Sequence, residues 1–278
     1  MQTIEGKAIA KKIREETKAE IARIGFRPGL GAILVGNDPA SRLYVSLKEK
    51  ACREVGLEFT KALLPENATA AEVAAKIDEF NSNEAIDAFI IQLPLPKHLN
   101  EDRAIAAMLP SKDADGFHRD NLTRLIGGQP RTFPVLPQAV TTLIASTGEN
   151  LSGKNALIIS NSRVFYEPLE TMLKAAGLKP NWVGANDPKL NLKVRQSDVL
   201  VVAVGQPGLI SGGWLKNGAI AVDIGTNRLP DGTLTGDIDQ KATGGKDGWI
   251  TPVPGGVGPV TVALLLKNTV ELAKQHRR

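Results

Sequence analysis

The amino-acid sequence predicts an α/β fold in two parts, each with a parallel β-sheet. Along most of the chain, segments with helical amphipathicity alternate with short apolar segments, and this alternation is typical of parallel α/β architecture. The length of 278 residues suffices for two domains of ordinary size or one large one, with a well-buried core in either case. Folding therefore needs no metal ion or disulfide bond.

The first half of the chain predicts a βαβαβ unit preceded by a helix. Its segments, in chain order, are a helix at 6–24, a strand at 29–36, a helix at 41–55, a strand at 57–64, a helix at 69–81 and a strand at 88–92. The second helix is predicted to begin at Ser41, after turn residues at 37–39. The last strand is predicted to end before Pro94, because proline cannot donate a backbone hydrogen bond to a sheet.

The second half predicts a sheet of the Rossmann type. The segment 111–138 is rich in Asp, Gly and Pro and is predicted to be a loop at a domain boundary, before a helix at 137–147. Four strands are then predicted at 155–159, 181–185, 199–205 and 219–225. Crossovers of suitable length separate these strands, which therefore resemble a Rossmann-type domain. After a turn at 230–232, a final helix is predicted at roughly 260–275.

Composition and charge exclude several classes of protein. Cys52 is the single cysteine, and no cluster of Cys and His has the spacing of a zinc site, so we expect no metal site and a reducing, cytoplasmic setting. No secretory signal and no long apolar stretch is present, so we expect no membrane partner. The formal net charge of +4 is spread along helical segments, which argues against a nucleic-acid partner.

Tyr44 and Lys48 form the first candidate site. A spacing of four residues on a helix places both side chains on one face, one turn apart. An aromatic ring and an amine would then project together. The alternative is an exposed lysine beside a tyrosine that covers the core, and the pair alone favours that alternative.

Two further candidate features are a polar residue at a strand end and a tight turn with two carboxylates. Gln92 ends an apolar strand, and α/β enzymes place their sites at the carboxyl edge of the sheet. Asp113, Asp115 and Gly116 form a tight turn that is able to present a carboxylate to a ligand. The alternatives are an ordinary polar residue at a strand end and a plain Asp-Gly turn.

Together with their flanking sequences, these residues resemble the bifunctional methylenetetrahydrofolate dehydrogenase/methenyltetrahydrofolate cyclohydrolase family over nearly the whole chain. The segments that carry the resemblance are LVGNDPASRLYVSLKEKACREVG (34–56), IIQLPLP (90–96), PSKDADGFH (110–118) and TPVPGGVGPVT (251–261). The last is the family's most distinctive motif, and Val260 stands in it where Met is usual.

The resemblance implies an N-terminal βαβ substrate domain, a Rossmann-type nucleotide-binding domain, and a C-terminal helix that returns to the first domain. It places the catalytic, folate-binding domain at 1–120 and 255–278. The nucleotide-binding domain is then expected at 121–254. Family members are usually dimers, so the resemblance also implies a homodimer.

The resemblance also implies roles for individual residues. Lys48 matches the family's general acid/base, Tyr44 the ring that packs on the folate, and Gln92 the amide that orients the lysine. Asp115 matches the carboxylate that binds the pterin. The remaining expected substrate contacts are Leu93, Pro254, Gly255 and Gly256. Glycines in the last group allow the backbone to approach a ligand closely.

The nucleotide motif departs from the family. After its first Rossmann strand, the family has Gly-Arg-Ser-x-x-Val-Gly-x-Pro, whereas this chain has SNSRVFYEP at 160–168. Both glycines and the arginine are missing. Tyr166 stands at the second glycine position, where a bulky ring can obstruct the pyrophosphate unless it swings away. The expected cofactor contacts from this loop are Ser160, Asn161 and Ser162.

Two more cofactor contacts are expected beyond this loop. Asp187 follows Ser160 at roughly the spacing at which a Rossmann acid reaches a ribose 2′-hydroxyl, and its charge would repel a 2′-phosphate. An Asn-Asp-Pro turn is the equally favoured alternative for Asp187. Thr226 replaces a usual Ile at a strand end that lines the nicotinamide half of the family's site. The resemblance thus implies NAD or NADP as the cofactor, and these departures favour NAD.

The sequence therefore predicts an enzyme that interconverts one-carbon units on tetrahydrofolate. It would oxidise 5,10-methylenetetrahydrofolate to 5,10-methenyltetrahydrofolate and hydrolyse that product to 10-formyltetrahydrofolate. The alternatives are a monofunctional cyclohydrolase with lost or weak dinucleotide binding, and a folate-binding protein without catalysis.

Overall fold

A computed structural model describes residues 1–277, which form two compact units. The first, here called the large-sheet unit, comprises 1–10 and 136–261. The second, the small-sheet unit, comprises 11–135 and the chain from Val262 onward. Each unit is built around its own parallel sheet.

Helices and strands alternate over most of the described chain. The helices are α1 (Gly6–Ile24), α2 (Pro39–Val55), α3 (Ala70–Ser82), α4 (Glu101–Ala107), α5 (Arg119–Ile126), α6 (Val135–Ala145), α7 (Arg163–Ala175), α8 (Leu190–Gln196) and α9 (Val257–His276). The strands are β1 (Gln2–Thr3), β2 (Gly29–Val35), β3 (Glu58–Leu64), β4 (Ala88–Ile91), β5 (Asn155–Ser160), β6 (Lys179–Val183), β7 (Val199–Ala203), β8 (Ile210–Ser211), β9 (Ile220–Asp223), β10 (Asn227–Arg228), β11 (Leu234–Thr235), β12 (Ile238–Asp239) and β13 (Trp249–Ile250).

The small-sheet unit contains a parallel sheet in the order β3-β2-β4. Every residue of β2 is buried, as expected for the central strand of a parallel sheet covered by helices. One face of the sheet carries a core in which Phe80 and Phe89 meet edge to face, with ring centroids 5.5 Å apart. This packing fixes the carboxyl ends of β2 and β4, where the candidate site lies.

The large-sheet unit contains a parallel sheet in the order β1-β13-β9-β7-β5-β6. The inner strands β5, β7 and β9 are apolar runs with almost no exposed surface. β10 and β11 form an antiparallel hairpin around the predicted turn at 230–232. This architecture confirms the predicted α/β class and its Rossmann-type half.

The C-terminal helix α9 belongs to the small-sheet unit from Val262 onward. Asn268, which is 5 % exposed, donates through Nδ2 to the carbonyl oxygens of Ala114 and Phe133, at 3.0 and 2.9 Å. Near its end, Lys274 pairs with Glu20 of α1. The predicted return of this helix to the first part of the chain is therefore confirmed.

Several predicted boundaries are wrong for local reasons. α2 begins at Pro39 and not at Ser41, because Asp38 is the N-cap and accepts a hydrogen bond from the Ser41 backbone N–H at 2.7 Å. The predicted loop at 111–138 contains α5, which His118 caps by accepting from the Asp120 backbone N–H. β6 begins at Lys179, two residues before the prediction, because its ladder with β5 extends to Asn155.

No helix within residues 1–277 combines the length and apolar character needed to cross a membrane.

Candidate active site

Lys48 and Gln92 meet at the carboxyl edge of the small sheet. Lys48 lies on α2, and its ammonium donates a hydrogen bond to Gln92 Oε1 at 2.8 Å. Tyr44 lies one turn earlier on the same helix and is 42 % exposed. The structure therefore brings together the helix pair and the strand-end amide that the sequence singled out separately.

The backbone around Gln92 fixes the orientation of its amide. The Gln92 N–H donates to Ile33 O at 2.9 Å, which extends the pairing of β4 with β2 by one bond. Its side-chain Nε2 donates to Leu93 O at 2.7 Å, so Oε1 is the atom that faces Lys48. Leu93 itself is exposed. A fixed acceptor holds a flexible lysine in one position, which an acid/base group requires.

The turn at 113–118 contains two carboxylates, those of Asp113 and Asp115, which differ in their hydrogen bonds. Asp113 is 2 % exposed and accepts from Gly116 N, His118 N and Asn121 Nδ2, at 2.9, 2.7 and 3.0 Å. It is therefore a structural residue of the turn. In contrast, no donor within residues 1–277 is hydrogen-bonded to the Asp115 carboxylate, so its lone pairs are available to a ligand.

Burial and charge act in opposite directions on Lys48 and Asp115. Removal of Lys48 from water lowers its pKa, and the negative charge of Asp115 partly opposes this effect. Burial raises the pKa of Asp115, which the positive charge of Lys48 opposes. An amine with a lowered pKa can accept and return a proton more easily than an exposed lysine. The site is thus suited to proton transfer beside a carboxylate.

The charge coupling of this pair predicts the effect of neutralising Asp115. In Asp115→Asn the carboxylate charge is absent while the burial of Lys48 remains, so we expect the pKa of Lys48 to fall further below its ordinary value. NMR titration of ¹³C-labelled lysine side chains measures this pKa in both proteins. An unchanged or higher pKa in the variant would show that Asp115 does not act on Lys48 electrostatically.

The segment Pro254–Gly256 lies in the large-sheet unit, at the start of α9. Gly255 has φ +107°, a conformation that side chains other than glycine rarely adopt. A Cβ on Gly6 would lie only 2.0 Å from Gly256 O. The close packing of these backbones explains the glycines in structural terms.

The loop after β5 leaves the start of α7 without a side-chain cap. Ser160 Oγ accepts from the Ser162 backbone N–H at 3.0 Å, and Asn161 Oδ1 accepts from Ala185 N at 3.3 Å. Ser162 is the N-cap residue, but its side chain makes no capping bond. Within residues 1–277, no acceptor is bonded to the first-turn N–H groups of α7 at 163–165. These donors, with the helix dipole, can bind an anionic group.

Tyr166 is stacked on Trp182. The two ring centroids are 4.6 Å apart and the planes are within 15° of parallel. The Trp182 indole N–H donates to Ser160 O at 2.8 Å, which ties β6 to the end of β5. Sequence analysis did not identify Trp182, because the stack joins a helix to a neighbouring strand. The bulky Tyr166 ring therefore has a packing partner on β6.

Asp187 is already bonded on both oxygens. Its Oδ1 accepts from Lys189 N at 2.8 Å and its Oδ2 from Lys193 Nζ at 2.7 Å, and Lys193 lowers the pKa of the carboxylate. The Asn-Asp-Pro turn anticipated as the alternative is therefore accompanied by an ion pair that the sequence did not predict. Thr226 is exposed in the loop after β9.

Two buried carboxylates of the large-sheet unit were missed by sequence analysis. Asp223 and Asp237 accept backbone hydrogen bonds from the loops after β7 and β9. The sequence features that could have indicated them are Gly225 and Gly236. A side chain at 225 would clash with Asp237, and one at 236 would clash with Asp223. Within the described residues, no group of three or more His, Cys, Asp or Glu side chains is arranged to hold a metal ion.

Comparison with known proteins agrees with this geometry. Residues 4–115 match the family described as "Tetrahydrofolate dehydrogenase/cyclohydrolase, catalytic domain", and residues 134–277 match its NAD(P)-binding domain. The chain is 42 % identical over 276 residues to the bifunctional protein FolD of Geotalea daltonii, covering 98 % of this chain and 99 % of the relative.

Two solved structures are also similar over nearly their full lengths. The bifunctional FolD enzyme of Campylobacter jejuni has a TM-score of 0.93 and 39 % identity, covering 99 % of both chains. The FolD of Trypanosoma brucei, complexed with NADP and an inhibitor, has a TM-score of 0.94 and 35 % identity, covering 99 % of this chain and 98 % of that one. The chain therefore belongs to the tetrahydrofolate dehydrogenase/cyclohydrolase family.

Proposed function

We propose that this protein oxidises 5,10-methylenetetrahydrofolate to 5,10-methenyltetrahydrofolate and hydrolyses the product to 10-formyltetrahydrofolate. The observation that carries the proposal is the Lys48 ammonium, held 2.8 Å from Gln92 Oε1 and coupled to Asp115, in a chain of this family. The similar proteins of Campylobacter jejuni and Trypanosoma brucei are named methylenetetrahydrofolate dehydrogenase/cyclohydrolases.

Lys48 is proposed as the acid/base group of the hydrolysis. The neutral amine takes a proton as water adds its oxygen to the iminium carbon of the methenyl bridge. The resulting ammonium then returns a proton to the ring nitrogen as the bond between that nitrogen and the bridge carbon breaks. The hydroxyl proton of the adduct is released to solvent as the C=O bond forms, and the bridge carbon remains on the other nitrogen as a formyl group. Burial supports this cycle because it lowers the pKa of Lys48.

The other residues of the small-sheet unit are proposed to bind and orient the folate. Gln92 holds Lys48, while the exposed ring of Tyr44 and the exposed side chain of Leu93 offer apolar surface to the aromatic part of the substrate. The Asp115 carboxylate would accept from the amino and ring N–H donors of the pterin. Pro254, Gly255 and Gly256, in the large-sheet unit, are proposed as a further substrate segment on the family resemblance of their motif.

The assignment of folate chemistry and dinucleotide binding to separate parts of the chain is also a proposal. Residues 1–120 with 255–278 are assigned to catalysis and folate binding, and 121–254 to the dinucleotide. A homodimer and a cytoplasmic location are predictions from the family resemblance and the composition.

The large-sheet unit fits a dinucleotide at the carboxyl edge of its sheet. The uncapped first turn of α7 offers N–H donors to the pyrophosphate. Ser160, Asn161 and Ser162 directly precede these donors in the chain. Thr226 lies in the loop after β9, which belongs to the same sheet as β5. When bound, NAD or NADP supplies the hydride acceptor for methylene-folate oxidation.

We expect NAD to bind more tightly than NADP. Asn161 replaces the family arginine, and the nearest basic residue on α7, Arg163, is paired with Glu167 at 2.7 Å. Without the family arginine, a 2′-phosphate loses a charge-assisted partner worth about 1.5–3 kcal/mol, which corresponds to roughly 10- to 150-fold in affinity. The ion pair between Lys193 and Asp187 weakens the repulsion expected from that carboxylate but supplies no free cation.

Calorimetric titration with each dinucleotide measures this preference. Asn161→Arg restores the family arginine and should raise NADP affinity selectively, whereas the surface control Asn150→Arg in the same unit should not. Tighter binding of NADP than of NAD by the unmodified protein would contradict the expected preference.

The proposed activities themselves are tested by two separate assays. Loss of methenyl-folate absorbance measures the hydrolase, and saturation-transfer NMR with NAD and NADP detects dinucleotide binding. If the protein hydrolysed methenyl-folate but bound neither NAD nor NADP, its activity would be that of a cyclohydrolase alone. Folate binding without hydrolysis would leave a non-catalytic binding protein.

A further inference from the structure

Two carboxylates of the large-sheet unit are buried outside the chemistry described above. Asp223 ends β9 and is 1 % exposed, and Asp237 precedes β12 and is completely buried. A buried carboxylate is costly unless hydrogen bonds compensate its desolvation. The groups that bond to these two side chains therefore indicate what the carboxylates organise.

Asp237 collects the backbone donors of the loop after β7. Its Oδ2 accepts from Val204 N at 2.8 Å and Gly205 N at 3.1 Å, and its Oδ1 accepts from Gln206 N at 2.8 Å. Oδ1 also accepts from Asn227 Nδ2 at 2.9 Å. Three successive N–H groups around one anion form a nest of the kind that often binds phosphates. Here the chain itself supplies the anion.

This arrangement determines which atoms the loop presents outward. The peptide bonds at 204–206 are trans, so each carbonyl points opposite to the following N–H. With the N–H groups of Gly205 and Gln206 directed at Asp237, the carbonyls of Val204 and Gly205 point away from it. No donor within residues 1–277 bonds these two oxygens, and Gly205 is exposed. The loop therefore presents the hydrogen-bond acceptors Val204 O and Gly205 O outward, while its N–H donors are bonded to Asp237.

Asp223 holds Asp237 in place. It accepts from Gly225 N and Asp237 N, both at 3.0 Å, and from Ile238 N at 2.8 Å. A Cβ on Gly236 would lie 1.9 Å from Asp223 Oδ2, so this contact requires glycine. Burial, reinforced by the charge of Asp237, raises the pKa of Asp223 to about 6. Well above that pH, Asp223 is a carboxylate that holds the Asp237 backbone beside the loop after β9, and Asp237 in turn bonds the loop after β7.

We propose that Asp237 is a positioning residue that turns the donors of the loop 204–206 inward, so that its outward carbonyls select the primary carboxamide of the nicotinamide ring. This inference rests on the proposed dehydrogenase function, and it names the carboxamide as the cofactor group that the loop recognises. A carboxamide has two N–H donors for these acceptors. A carboxylate in its place has none, and its charge would be repelled by the carbonyl oxygens.

The first test uses the unmodified protein and needs no variant. Calorimetric titration well above pH 6 compares NAD with its deamido analogue, in which a carboxylate replaces the carboxamide. We expect NAD to bind at least about tenfold more tightly. Equal affinity for the two compounds would overturn the inference alone. Failure to bind either would overturn the proposed dehydrogenase function together with the inference.

The second test asks whether Asp237 causes the selectivity. In Asp237→Asn, the amide nitrogen must face two N–H donors, so we expect weaker NAD binding and a smaller ratio between NAD and the deamido analogue. Asp239→Asn, two residues further along and exposed in β12, keeps its acceptor for Lys241 N and is the matched control. Circular dichroism and thermal unfolding establish that both variants are folded.

A milder variant covers the case in which Asp237→Asn does not fold. Asn227→Ala removes one donor from Asp237 Oδ1 while the three backbone bonds remain. It should reduce the NAD to deamido-NAD ratio in the same direction but less. A folded Asp237→Asn variant with the unmodified ratio would overturn the proposal, as would an unchanged ratio in Asn227→Ala if Asp237→Asn is unfolded.

Discussion

Replacing Lys48 with methionine is expected to slow methenyl-folate hydrolysis by about 10²- to 10⁴-fold, the usual effect of losing one positioned acid/base group. Methionine has a similar length and cannot carry the proton. It also leaves Gln92 Oε1 without its partner at 2.8 Å. Folate affinity should change little, because the proposed contacts of Tyr44 and Asp115 remain.

Lys50→Met provides the matched control for this substitution. Lys50 lies two residues further along α2 and is exposed, so the same loss of an ammonium should leave hydrolysis near its original rate. Hydrolysis rates and folate dissociation constants are measured for both variants. If Lys48→Met kept half of the original rate, Lys48 would have no part in the proton transfer.

Replacing Asp115 with alanine is expected to weaken folate binding by about 1–3 kcal/mol, or roughly 5- to 150-fold. Its carboxylate has no hydrogen-bond donor within residues 1–277, so it is free to accept hydrogen bonds from a ligand. Without it, the buried N–H donors of the pterin would remain unpaired. The loss should therefore appear mainly in affinity.

Titration calorimetry with folate measures the Asp115→Ala effect. Asp78→Ala is the control, since Asp78 is exposed on α3 in the same unit and its side chain makes no hydrogen bond to the described residues. Affinity that is equal in Asp115→Ala and the unmodified protein would show that this carboxylate does not anchor the ligand.

The elements that carry Tyr44, Lys48 and Gln92 could be predicted from the sequence because they are strongly patterned. Tyr44 and Lys48 share a helix, and Gln92 ends an apolar strand, so local patterns placed each residue on its element. The proximity of Gln92 to Lys48 was expected only from the family resemblance. The hydrogen bond between Lys48 and Gln92 spans 44 positions in the chain. Its direction depends on the bond from Gln92 Nε2 to Leu93 O, which no local pattern shows.

The nucleotide side was predicted less completely because its key contacts are tertiary. The stack of Tyr166 on Trp182 and the burial of Asp237 depend on which strands become neighbours. The pairing of Asp187 with Lys193 joins a loop to the next helix. α5 was missed because its eight residues are mainly polar and follow a turn rich in Asp and Gly.

An assay that follows both reactions in one sample tests whether the protein is bifunctional. The purified protein is supplied with 5,10-methylenetetrahydrofolate and NAD, and in a parallel sample with NADP. We expect reduced nicotinamide and 10-formyltetrahydrofolate to form in equal amounts, faster with NAD, with little methenyl intermediate accumulating. Reduced nicotinamide with persistent methenyl-folate would contradict the Lys48 hydrolase site, and no reduced nicotinamide with either dinucleotide would contradict the dehydrogenase.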